Sequence, residues 1–159
     1  MNAMTLERLQ EIAKHDGYSF NLNLTTQMFP APVPVRCDEL TERHAAIINR
    51  IIDWNEMTLK AIKAVLLLDY VNQCGVTDWG HGSGRDNPFK IHTPDDAYAQ
   101  ARLKYVRIDR PERYKGLWSV VCFHVEWEAE HGAHVAMRGD WAWGIARDSE
   151  TPLQNDFVR

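Results

Sequence analysis

Apolar and polar positions follow two different periods along this chain, and each change of period marks a predicted element. Leu6, Leu9 and Ile12 recur at helical spacing behind Thr5, a good N-cap residue. Residues 5–14 are therefore predicted as a short amphipathic helix that Asp16-Gly17 stops. Residues 18–25 switch to strict alternation. Tyr18, Phe20, Leu22 and Leu24 share one face and Ser19, Asn21 and Asn23 the other, the pattern of a half-buried strand. Pro30, Pro32 and Pro34 then fall at every second position. Proline has no N–H to give to a ladder, so this spacing predicts an edge strand with its missing donors on one side. A polyproline segment for a partner is the alternative.

The helical period returns at Asp38. Asp38 stands as the cap, Glu39 and Glu42 sit in the first turn, and Leu40, Ile47, Ile48 and Ile51 form an apolar stripe, so residues 38–53 are predicted as a helix. Asn55 caps a second helix with Leu59, Ile62, Leu66 and Tyr70 on one face. Val65, Leu67 and Leu68 widen that face, and Gly75 ends the helix. The short link implies an antiparallel pair or a sharp kink. Residues 76–92 read as a glycine-rich loop. Thr93-Pro94-Asp95-Asp96 opens a short helix that runs to about Ala101.

The remainder reads as strand. Residues 103–108 form one. Residues 117–127 form the longest, with Val121, Phe123, Val125 and Trp127 on one face and Val120, Cys122, His124 and Glu126 on the other. A hairpin of residues 133–137 and 141–145 turns at Arg138-Gly139-Asp140, with Trp141, Trp143 and Ile145 lining one face. Residues 146–159 read as a polar, partly ordered tail. Together these predict an α+β fold in a single domain, residues 1–159: a mostly antiparallel sheet, two central helices packed on one face and a C-terminal β-hairpin.

Composition narrows the function classes. Hydrophobic residues make up 45% of the chain and charged residues 25%, a balance that at this length builds a core without disulfides or metal. The net charge of −4 argues against a nucleic-acid binder, which needs a concentrated basic face. Arg102, Lys104, Arg107, Arg110, Arg113 and Lys115 do cluster, but Asp109 and Glu112 are interleaved with them, which predicts a solvated strand and turn. The first residues lack the basic and apolar regions of a secretory signal. The longest apolar run, Ala64 to Leu68, is too short for a membrane span, so the expected location is cytoplasmic. Cys37, Cys74 and Cys122 are spaced for neither a disulfide framework nor a zinc ribbon.

The densest candidate chemistry is His124, Glu126, Glu128, Glu130, His131 and His134. These are suitable ligands for zinc or another divalent ion, and suitable groups for general acid–base work. In a strand His124 and Glu126 share a face, and a turn at Glu130-His131-Gly132 folds His131 or His134 back toward them. The structural reading is preferred: Glu126 and Glu128 as solvated strand residues, Glu130 and His131 bracing a tight turn, Gly132 in a positive-φ conformation and Trp127 in the core. No cofactor and no tightly bound metal are expected. The segment from Trp79 to Arg85 lacks the Gly-Lys-Ser/Thr ending of a phosphate loop, and His81 occupies the first glycine position of a Gly-x-Ser-x-Gly elbow. Trp79, His81, Arg85 and Asp86 are candidates for partner contact instead, because Trp and Arg dominate interface energy.

Trp127-Glu128-Ala129-Glu130-His131-Gly132 resembles the Trp-x-x-Glu-His-Gly signature of a group of uncharacterised bacterial domain families. In that group the signature follows a long hydrophobic strand and precedes a small hairpin. Where the pattern has Asp after the Trp, this chain has Glu128. The order of elements from about Tyr18 to Ile145 is similar too. Several such families are associated with toxin systems as immunity proteins, and no catalytic residues are carried over. The resemblance implies an interaction protein that binds and neutralises a cognate toxin, its acidic residues meeting basic ones. The alternative is a metal-dependent enzyme or metal-binding domain centred on His124, Glu126, Glu130, His131 and His134. An enzyme needs those groups to converge on one concave pocket, whereas an interaction protein needs an exposed patch.

Overall fold

A computed structural model describes residues 3–74, 87–110 and 116–146. Their strands form one seven-stranded sheet in chain order: β1 (Lys14–His15), β2 (Phe20–Leu24), β3 (Val33–Cys37), β4 (Ala101–Asp109), β5 (Trp118–Val125), β6 (Glu128–Arg138) and β7 (Trp141–Ile145). Each neighbouring pair is antiparallel except β3 and β4, which are parallel. A parallel pair needs a crossover, not a tight turn. Here the crossover contains α2 (Glu42–Ile52), α3 (Glu56–Cys74) and α4 (Pro94–Ala99), while α1 (Leu6–Ile12) precedes the sheet. The fold is α+β with a mostly antiparallel sheet.

Local chemistry sets the element ends. Thr5 caps α1 by accepting the Arg8 N–H. The helix stops at Ile12, short of the predicted end, because Lys14 and His15 pair with Asn21 and Phe20. The Asp16 carboxylate organises the intervening turn by accepting the N–H groups of Tyr18 and Ser19 and the Asn21 amide. Those bonds hold its pKa far below the ordinary carboxylate value. Tyr18 consequently lies in the turn, 91% exposed, and not on the inward face with Leu22 and Leu24.

Two further expectations are corrected. β3 lies between β2 and β4 and is not an edge strand. Pro30 and Pro32 precede it, and Pro34 comes before Val35, where pairing with β4 begins, so the missing N–H falls outside the parallel ladder. α2 starts at Glu42 behind Thr41, not beside Asp38, because β3 extends to Cys37 and residues 38–40 are needed as the link. Asn55 does cap α3, accepting the Met57 N–H at 2.9 Å. Thr93 and Asp96 form a reciprocal capping box at α4.

The strands carry two apolar surfaces. Leu22, Val35, Val106, Val121, Phe123 and Val135 cluster with Ile48, Ile51, Ile62 and Leu66 of α2 and α3. Full burial of one such side chain contributes about 1.5–3 kcal/mol. A second, smaller cluster joins Trp118, Val120, Cys122, Ala136 and Ala146, with Tyr105 and Trp143 against it. Trp54, between α2 and α3, is fully buried and donates its indole N–H to the Gly139 carbonyl at 3.2 Å, which ties the helices to the β6–β7 turn. Beyond that turn the register slips at Trp143. The bulge sets Trp143 edge-on to Trp118 and returns Ile145 to the main core, so Trp141, Trp143 and Ile145 do not share a face.

Ala146 is buried and bonds the His134 carbonyl through its N–H at 2.8 Å, so it belongs to the body of the domain and not to a tail. The rest of the predicted tail, residues 147–159, lies outside the described residues, as do Trp79, His81, Arg85 and Asp86.

Candidate functional site

The structure relocates the turn of the Trp-x-x-Glu-His-Gly segment. β5 ends at Val125, the chain turns at Glu126-Trp127, and β6 begins at Glu128. The expected turn at Glu130-His131-Gly132 is instead a bulge within β6. Val125 pairs with Glu128 and Phe123 with Ala133, so Ala129, Glu130, His131 and Gly132 stand opposite His124. Gly132 makes this possible. Its φ is +77°, and a Cβ placed there would lie 2.1 Å from the Phe123 carbonyl oxygen. Glycine meets both the conformational and the steric demand.

Glu128 braces the bulge from within. Its Oε1 accepts the N–H groups of Glu130 and His131, each at 3.2 Å. The His131 N–H is the main reason that the Glu128 pKa lies below its ordinary value. His131 Nδ1 stands 3.5 Å from the same oxygen, and its Nε2 4.0 Å from Glu130. Glu130 and His131 themselves point to solvent.

Trp127 is buried, as its alternation with Phe123 and Val125 predicts. Its indole N–H donates to Asp69 Oδ2 at 2.8 Å, and its ring packs edge-on to Tyr70 with centroids 5.5 Å apart. Asp69 is 3% exposed. Sequence reasoning missed this residue. The available signal was a lone carboxylate in the apolar run Val65-Leu66-Leu67-Leu68-Asp69-Tyr70, on a helix face that is otherwise core.

Asp69 and Glu128 border a cavity of about 210 Å³. Asp69 and Gln73 line it from α3, Glu128, His131, Gly132 and His134 from β6, and Ile145 and Ala146 from the end of β7. Carboxylates, imidazoles and an amide in one small concavity suit a compact cationic or N–H-rich group.

The other candidate ligands disperse. His124 is exposed, in register with Arg102. Desolvation, then the charges of Lys104 and Arg102, hold its pKa below the ordinary histidine value. Adjacent cations also oppose a metal ion at that imidazole. Glu126 sits in the exposed turn. Among the described residues no group of three or more His, Cys, Asp or Glu side chains is placed to hold a metal. Burial pushes the thiols of Cys37 and Cys122 up to about 11, which leaves them protonated and unreactive at neutral pH. No helix of the described residues is long and apolar enough to cross a membrane.

Comparison with family models, with curated proteins and with solved structures finds no match to this chain.

Proposed function

We propose that this chain is a small cytoplasmic bacterial interaction protein of the immunity type, which binds and neutralises a cognate toxin through the acidic bulge of β6. The observation that carries the reading is a division of roles within one short segment. Trp127, Glu128 and Gly132 are engaged by Asp69, by backbone N–H groups and by the Phe123 backbone. Glu126, Glu130 and His131 are presented outward on the element so braced. A rigid acidic projection suits docking to a basic surface, where charge complementarity speeds encounter and rejects wrong partners. The adjoining cavity suits one basic side chain of that partner.

The resemblance of the Trp-x-x-Glu-His-Gly segment to immunity-type families supports the same reading. In it, the two central helices packed on one sheet face form the scaffold, and the C-terminal hairpin stands beside the contact surface. Trp79, His81, Arg85 and Asp86 supply a second contact. Co-expression with the product of the adjacent upstream gene tests the proposal. Rescue of growth together with a co-eluting complex supports it. A toxic neighbour that this chain neither binds nor neutralises refutes it.

A further inference from the structure

Composition hides a charge polarity that the sheet reveals. Alternation and register place Arg36 of β3, Arg102 and Arg107 of β4 and Arg138 of β6 on the face that carries Trp118, Val120, Cys122 and Ala136. Lys104, at a β4 bulge, reaches the same face and lies 6.0 Å from the Tyr105 ring centroid. Asp109, paired with Arg107, is interleaved with these cations. A chain of net charge −4 thus gathers five basic side chains on one sheet face.

The cations are positioned as well as gathered. The Arg36 guanidinium lies 4.3 Å over the Tyr105 ring, and that of Arg138 5.8 Å over Trp118. A guanidinium held over an aromatic ring keeps N–H donors for a carboxylate. Trp141, 64% exposed and paired in register with Arg138, adds an apolar anchor of the kind that dominates interfaces.

We propose that this face is a docking surface for a short acidic segment of a partner protein. From β3 to β6 is three strand spacings, roughly 14 Å, which about four or five extended residues cross. Nucleic acid fits less well. Tyr105 and Trp118 already carry arginines, so their rings do not serve as base-stacking platforms. The negative charge of the rest of the chain also opposes a long phosphate backbone. This surface uses residues separate from the acidic bulge and stands independently of the toxin-binding reading.

Anisotropy of a labelled acidic octapeptide titrated with the full chain tests the proposal. Binding should weaken as salt is raised from about 0.05 to about 0.5 M. Arg102→Glu with Arg138→Glu should weaken it about tenfold or more, with the melting temperature unchanged. If Arg138→Glu disturbs Trp118 and lowers the melting temperature, the pair Arg102→Glu and Lys104→Glu carries the same test away from that ring. Failure of the wild-type chain to bind the peptide overturns the proposal, as does full affinity in the correctly folded double variants. Tighter binding of a single-stranded thymidine octamer than of the peptide also overturns it, and would assign the face to nucleic acid.

Discussion

The indole N–H of Trp127 meets Asp69 Oδ2 at 2.8 Å in the interior, joining the β5–β6 turn to α3 across 58 residues of chain. A buried carboxylate is stable there only with donors facing it. Trp127→Phe keeps an aromatic ring but removes this donor, and urea unfolding should show a loss of about 1–3 kcal/mol. A double-variant cycle with Asp69→Asn should return a coupling of about 1 kcal/mol or more. Strictly additive effects would mean that the contact does not hold the turn.

Gly132 and Gly17 separate two costs of replacing a glycine. Both have positive φ, but a Cβ at Gly17 meets nothing within 4 Å, whereas one at Gly132 meets the Phe123 carbonyl at 2.1 Å. Gly17→Ala should cost about 1 kcal/mol, the conformational part. Gly132→Ala should cost about 3 kcal/mol or more, because the bulge must move away from β5. Equal losses in chemical denaturation would show that backbone conformation is the whole effect.

The misplacement of this turn has a physical cause. A tight turn and a bulge both call for a glycine at positive φ, so Glu130-His131-Gly132 fits either. The choice is made at Trp127, whose bond to Asp69 holds the chain reversal at Glu126-Trp127, four residues earlier. That partner is on another element, outside any local window. By contrast, the α3 cap at Asn55, the α4 capping box and the alternation of β5 depend on neighbouring residues and were readable directly. The basic face was not readable for the same reason as the bulge. Asp109 interrupts the cations in sequence, but strand register separates Arg36, Arg102 and Arg138 from the acids elsewhere in the chain.

Glu128 gives the bulge a pH dependence. Its folded pKa is depressed below the ordinary 4.5 by the His131 and Glu130 N–H groups. The ionised form is favoured in the fold, so its stabilisation is complete above about pH 4.5 and is lost as pH falls through the lowered folded value. Glu128→Gln should therefore lower the melting temperature at neutral pH, and its difference from wild type should shrink in acid. A difference that is constant from neutral pH to about pH 3 would contradict this role.

Among the described residues no three His, Cys, Asp or Glu side chains are placed to hold a metal, which predicts how the purified chain behaves toward zinc. It should carry well under one equivalent of zinc, and EDTA should leave its melting temperature unchanged. Stoichiometric zinc that survives dialysis would restore the metal-dependent reading.

The central claim is that the braced bulge of β6 presents acidic groups to a basic partner. Titration calorimetry of Glu126→Lys/Glu130→Lys against the toxin proposed as its partner, the product of the adjacent upstream gene, tests it most directly. Both residues are exposed, so the stability of the variant should stay within about 0.5 kcal/mol of wild type. Its affinity should fall about tenfold or more, chiefly through slower association. Wild-type affinity in the charge-reversed, correctly folded variant would contradict the account.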